Sequence, residues 1–245
     1  MSRPLTIASH AARAVCVVAL GVVLAACGSA GPSGAGTTHT ATQGSESGGN
    51  GIENKSVDEI ATAVRAAVAS ASSVHMAGTT SDGAMVATIG KTGADVQVTV
   101  PGKGVVQVRA VQSAYYIKAD KAFWASETNP AAAAMLAGKW VKVPTSAADS
   151  FKSFLNLQDL SKDAFTPTGT VTKGAPTTVA GQQALPLTDA DGTLYVALQG
   201  QPYPVKVVNT KGDSTGTIVF SNWNVAVTIP APPPSQVVDI TKITG

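Results

Sequence analysis

Asp95-Val96-Gln97-Val98-Thr99-Val100-Pro101-Gly102-Lys103-Gly104-Val105-Val106-Gln107-Val108-Arg109 is the stretch that decides the fold. Valine alternates with polar residues on both sides of a Pro-Gly-Lys interruption. Successive side chains of a strand point to opposite faces, so this is two half-buried strands joined by a reversal. Working outward, runs of the same kind occupy 74–80, 84–90, 94–100, 104–110 and 113–119, with Ser81-Asp82-Gly83 and Lys91-Thr92-Gly93 as further turns. The pattern predicts an antiparallel meander with one face in a core and one in water.

Upstream, Ser56-Val57-Asp58-Glu59 fits a capping box. Val57, Ile60, Ala61, Val64, Val68 and Ala71 follow at helical spacing, predicting an amphipathic helix over 57–72 that lies flat on a sheet. Downstream, Pro130 to Leu136 and Ala147 to Leu160 read as helices with a short strand at 139–143 between them. The second helix carries an apolar stripe of Phe151, Phe154, Leu155 and Leu157. Strands are then expected at about 166–173, 183–188, 193–199, 204–210, 215–221 and 224–229, and Pro230-Ala231-Pro232-Pro233-Pro234 is expected to end the sheet because proline cannot donate to a ladder. The whole predicts an α+β domain over 56–245: a single, strongly curved antiparallel β-sheet, a half-barrel, with helices packed on its concave face.

The N-terminal segment has a different character. Arg3 and Arg13 precede the apolar run 14–23, and Leu24-Ala25-Ala26-Cys27 follows. A basic start, a short apolar run and small residues before a cleavage point are the marks of a secretory signal. The run is short for a membrane span, which needs about 20 residues. Leu24-Ala25-Ala26-Cys27 resembles the bacterial lipobox, which implies a lipoprotein signal peptide over 1–26, cleavage after Ala26 and lipidation of the Cys27 thiol. The expected location is the extracytoplasmic face of the cell membrane, held there by the lipid anchor. Residues 27–55, rich in Gly, Ser and Thr, read as a flexible tether. A coil of about 28 residues spans on the order of 30 Å.

Composition narrows the function classes. Removing 1–26 takes away Arg3 and Arg13 and no acid, so Lys+Arg falls from 17 to 15, equal to Asp+Glu. With no basic excess and no basic run, nucleic acid is not an expected partner. Of the two cysteines, Cys16 leaves with the signal and Cys27 is committed to lipid, so no disulfide and no Cys-based metal site is expected. No Gly-x-Ser-x-Gly elbow, phosphate loop or paired-His metal motif occurs. His75 sits within an alternating strand, and Asp189-Ala190-Asp191-Gly192 reads as a turn. No catalytic residue, cofactor or metal is implied.

The order of elements resembles the LppX/LprA/LprF/LprG lipoproteins of actinobacteria, which share the half-barrel of the LolA/LolB carriers. The residues that carry the likeness are Thr178-Val179-Ala180-Gly181-Gln182, Gly192-Thr193-Leu194-Tyr195-Val196-Ala197-Leu198 and the closing Phe220-Ser221-Asn222-Trp223-Asn224-Val225-Ala226-Val227-Thr228-Ile229-Pro230-Ala231-Pro232-Pro233. The resemblance implies binding, and transfer across the envelope, of lipids or lipoglycans with long acyl chains. Residues 120–165 depart from the family's pattern around the cavity mouth. They carry Trp124, Trp140 and the 147–160 helix instead.

The candidate cavity residues are Tyr116, Trp124, Phe151, Phe154 and Leu155. Each has two roles open to it. Tyr115, Tyr116, Phe123 and Trp124 form either core and rim packing or the lip of an acyl-chain cavity, where an aromatic ring with a polar edge suits a wet boundary. The stripe Phe151, Phe154 and Leu155 is either sheet-packing core or a gate. The corresponding functions are a lipid-binding envelope lipoprotein and a non-enzymatic scaffold or signalling accessory with a filled core and a protein partner.

Overall fold

A computed structural model of the chain describes residues 49–149, 151–163, 170–211 and 215–240. The signal segment, Cys27 and most of the tether lie outside the described residues. Five strands form the expected meander: β1 (Ser73–Thr80), β2 (Gly83–Gly90), β3 (Gly93–Val100), β4 (Gly104–Val111) and β5 (Ala114–Ala119). The valine alternation sets the register. Val96 pairs with Val108 and Val98 with Val106, while Asp95 faces Arg109 and Gln97 faces Gln107. The valines point to the inner face, Val96, Val98 and Val108 against the main core and Val106 in a second one. On the outer face the Arg109 guanidinium and Gln107 both donate to the Asp95 carboxylate.

Helix α1 (Val57–Ser70) starts at the predicted capping box. The Ser56 hydroxyl accepts from Glu59 N at 3.3 Å, and the Glu59 carboxylate accepts from Ser56 N at 2.8 Å. Two otherwise orphaned N–H groups are thereby satisfied. Ile60, Ala61, Val64, Ala67 and Val68 are buried, and Ile60, Val64 and Val68 join Val74, Met76, Met85, Ala87 and Ile89 of the inner face in one cluster. Packing begins earlier than Ser56. Ile52 is 2 % exposed and belongs to the same cluster, and Asn50 donates from its backbone to Leu198 O at 2.7 Å and from its side chain to Ala197 O at 2.9 Å. Residues 49–55, expected in the tether, are seated on the fold. Their polar composition hid a single anchoring isoleucine.

The middle contains α2 (Lys121–Glu127), α3 (Pro130–Leu136), β6 (Trp140–Val143), α4 (Thr145–Ala148), a 3-10 turn at Lys152–Leu155 and α5 (Leu157–Asp163). The continuous helix expected over 147–160 is replaced by three pieces. Asn156 explains the restart: its side chain accepts from Gln158 N at 2.8 Å and Asp159 N at 3.3 Å, which is helix-capping chemistry placed in the middle of the expected helix. Phe123, Trp124 and Ala133 of α2 and α3 pack with Val106, Ile117, Ala119, Val141 and Val143 in a second core cluster.

The second half supplies β7 (Thr172–Lys173), β8 (Thr177–Val179), β9 (Gln182–Thr188), β10 (Gly192–Ala197), β11 (Pro204–Asn209) and β12 (Gly216–Ser221). Residues 164–169, where the first of these strands was expected to begin, lie outside the described residues. β12 pairs antiparallel with β1 and joins the two meanders. Gly78 stands at this seam, where an added Cβ would run into the Thr217 carbonyl oxygen, so only glycine lets the two strands approach.

Residues 224–229 are not a strand. Both edges of β12 are already taken, by β1 and β11. Asn222 and Asn224, at φ 52° and 61°, turn the chain out of the sheet. It then crosses the outer face as a strap. Val225 O accepts from the Ser73 hydroxyl, and Pro230 O accepts from Arg109 Nη1 at 3.1 Å. The prolines do not end the sheet either. Beyond them β13 (Val237–Asp239) pairs parallel with β6. Among the described residues the sheet is therefore mixed, with 13 strands in the order β13-β6-β5-β4-β3-β2-β1-β12-β11-β10-β9-β7 and β8 also on β9, and it is not closed.

Candidate functional site

The inner face, where sheet and helices meet, holds most of the candidate residues. Phe151 packs against both core clusters and meets Tyr115 edge to face, with ring centroids 6.1 Å apart. Leu155 is 8 % exposed, within the main cluster beside Leu157 and Leu160. Phe154 is half-buried. Trp124 is 1 % exposed in the second cluster, edge to face with Phe123 at 5.3 Å, and its indole Nε1 has no hydrogen-bond partner among the described residues.

Tyr116 is not brought to the others. In register it sits between Arg109 of β4 and Lys142 of β6, on the outer face. The alternation of the strand decides this: Tyr115 and Ile117 point inward, so Tyr116 cannot. The tyrosine that reaches the space beside Phe151 is its neighbour, Tyr115.

Two hollows open on either side of Asn156, at the end of the sheet marked by the β2–β3 turn. One, about 300 Å³, is lined by Ala71, Gly90, Lys91 and Leu157 among others. The second, about 180 Å³, is lined by Tyr115, Leu155, Lys152 and Lys91. Gly90, Lys91 and Asn156 border both. The hydrogen bond from Lys152 to Asp149, 2.7 Å long, raises the Lys152 pKa, with the charge of Asp149 adding to it. The two hollows thus combine the cationic groups of Lys91 and Lys152 and the amide of Asn156 with apolar side chains of Ala71, Leu155 and Leu157. A wider groove of about 490 Å³ lies on the outer face beneath the strap.

An aromatic group outside the candidate set lies at the β11–β12 margin of the main core. Tyr203 and Trp223 stack at 4.4 Å, Trp223 Nε1 donates to Pro204 O at 3.1 Å, and Asn224 Nδ2 donates to the Tyr203 hydroxyl at 2.7 Å. The signal was present as an isolated Trp between two asparagines, but its stacking partner is 20 residues away in sequence. His75 contacts only the Thr88 hydroxyl among the polar groups described, at 3.3 Å on the outer face. Among the described residues no three His, Cys, Asp or Glu side chains are grouped so as to hold a metal ion, and no helix is long and apolar enough to cross a membrane.

No family model matches the sequence, and no curated protein matches it. Solved structures do. LprF from Mycobacterium bovis is similar with a TM-score of 0.52 at 16 % identity, over 72 % of this chain and 96 % of that one. The Mycobacterium tuberculosis lipoprotein LppX is similar with a TM-score of 0.45 at 14 % identity, over 71 % of this chain and 100 % of that one. The resemblance drawn from the order of elements is thus met in three dimensions, and the chain carries the fold of LprF.

Proposed function

We propose that this chain is a cell-envelope lipoprotein, anchored in the membrane through Cys27, that binds and transfers acyl-chain lipids or lipoglycans on the inner face of its sheet. The supporting observation is the construction of the inner face. One side is covered by a long, capped helix, and the other by three short pieces, α4, the 3-10 turn and α5, with Phe151 bridging the two cores. Displacing those pieces would open a space lined by apolar side chains on the concave side of a curved sheet. The hollows beside Asn156 mark its mouth. An acyl chain entering it leaves water at about 0.8 kcal/mol per methylene.

A second function is favoured by a specific observation. Leu155, Leu157 and Leu160 are buried in the same cluster as Val64 and Ile89, so the inner face as it stands is filled. A filled core suits a scaffold or signalling accessory with a protein partner. Uptake of a fluorescent acyl probe separates the two. The carrier takes up the probe saturably, and Phe154→Asp reduces uptake without loss of the fold. A well-folded wild-type protein that takes up no probe is the scaffold. Anchorage is tested apart from this, by fatty-acid labelling, which Cys27→Ala should eliminate.

A further inference from the structure

The α2–α3 hairpin is built with its apolar surface on both sides. Phe123, Trp124 and Ala133 face the second core. On the opposite side Met135 is 73 % exposed, and Ala122, Ala125, Ala131 and Ala134 are exposed with it. Among the described residues the other exposed large apolar side chains, Val86 and Val225, reach 46 % and 53 %.

Two exposed lysines flank this surface. Gly138 N donates to Ala119 O at 3.0 Å, which brings the start of α2 beside the end of α3 and places Lys121 and Lys139 on one rim. Both lysines are exposed, and neither has an ion-pair partner among the described residues. Of the two nearby acids, Glu127 pairs with Lys103 at 3.3 Å, while Asp120 accepts from Val105 N at 2.9 Å and keeps its charge beside Lys121. Between residues 101 and 143, Lys103, Arg109 and Lys142 are ion-paired to Glu127, Asp95 and Asp239, which leaves Lys118, Lys121 and Lys139 without an acidic partner among the described residues.

We infer that this hairpin is a docking face for the surface of an anionic bilayer. Met135 would enter the headgroup boundary while Lys121 and Lys139 reach sideways to lipid phosphates, with their stems along the apolar surface. Exposed methionine and alanine supply apolar contact, and unpaired lysines supply attraction to negative headgroups. The inference rests on the membrane anchorage proposed above, since a tethered domain meets the bilayer continually.

The test uses the full-length protein recovered from its own membranes. It is reconstituted into phosphatidylcholine vesicles with and without phosphatidylglycerol, and lysine acetylation is read by mass spectrometry. Exposed Lys211 serves as the reference. The expected result is a several-fold drop in labelling of Lys121 and Lys139 relative to Lys211 on phosphatidylglycerol vesicles only. High salt and Met135→Glu should each reverse it. Unchanged relative labelling on those vesicles overturns the inference. Protection already present in detergent and rising with protein concentration also overturns it, assigning the face to a second copy of the chain. Failure of the anchorage appears separately, as release of the protein from phosphatidylcholine vesicles. Docking is then read from co-sedimentation with phosphatidylglycerol vesicles at low salt, and its absence there overturns both.

Discussion

Helix α1 and the 145–163 segment cover the same face of the same sheet and are built in opposite ways. α1 is 14 residues long, closed at its start by a reciprocal cap, with Ile60, Val64 and Val68 each fully buried. The other cover consists of a four-residue helix, a four-residue 3-10 turn and a seven-residue helix. It has Phe151 and Phe154 half-buried along it. Short helices gain little from their own hydrogen bonds and depend on tertiary contact. On the proposed carrier function, α1 would hold the fold and the broken segment would open, as elements that move for ligands are drawn from those of low local stability.

The sharpest contrast comes from deleting equivalent apolar volume on the two covers. Ile60→Ala should cost stability toward the upper part of the about 2–5 kcal/mol range for such truncations, because α1 cannot collapse into the cavity left behind. Leu160→Ala, at a position 5 % exposed on α5, should fall toward about 2 kcal/mol, since a seven-residue helix can shift to fill the space. Urea unfolding of both variants checks the pair. Equal losses would remove the asymmetry.

Ser56→Ala probes the cap and should lower stability by about 1 kcal/mol. Its effect should depend on pH. The hydrogen bonds from Ser56, side chain and then backbone, hold the Glu59 carboxyl below its ordinary pKa. A carboxyl lowered in the folded state adds stability that is present above its unfolded pKa, about 4.3, and is lost as pH falls through the folded value. The gap between wild type and Ser56→Ala should therefore narrow in acid. The smallest stability change is expected at Phe154, half-buried and outside both core clusters. Phe154→Ala should cost well under the about 3–5 kcal/mol of a buried phenylalanine, yet Phe154→Asp should reduce acyl-probe uptake. Thermal unfolding and uptake measured on the same variants check both.

Much of this contrast was written in local sequence. The Ser56–Glu59 cap and the spacing of Ile60, Val64 and Val68 specify α1, and the valines at 96, 98, 106 and 108 specify the meander and its register. What depended on neighbours was not legible. The sequence of 224–229 alternates like a strand, and only the prior occupation of both β12 edges sends it across the outer face. Val237–Asp239 joins β6 because the strap delivers it there. At the candidate site, the stripe around Phe151 and Leu155 could be read from helical spacing, but breaks after Ala148 and at Asn156 turned one helix into three pieces. Tyr116 shows the limit of composition: adjacent tyrosines look alike in sequence, and strand parity sends only Tyr115 inward.

Native mass spectrometry of the protein purified from its own envelope tests most directly whether the broken cover opens over a lipid site. A carrier should retain a co-purifying lipid as added mass, lost in the Phe154→Asp variant while the fold is kept. A wild-type protein that carries no added mass, and gains none when offered an acyl lipid, would contradict the carrier function and leave the filled scaffold in its place.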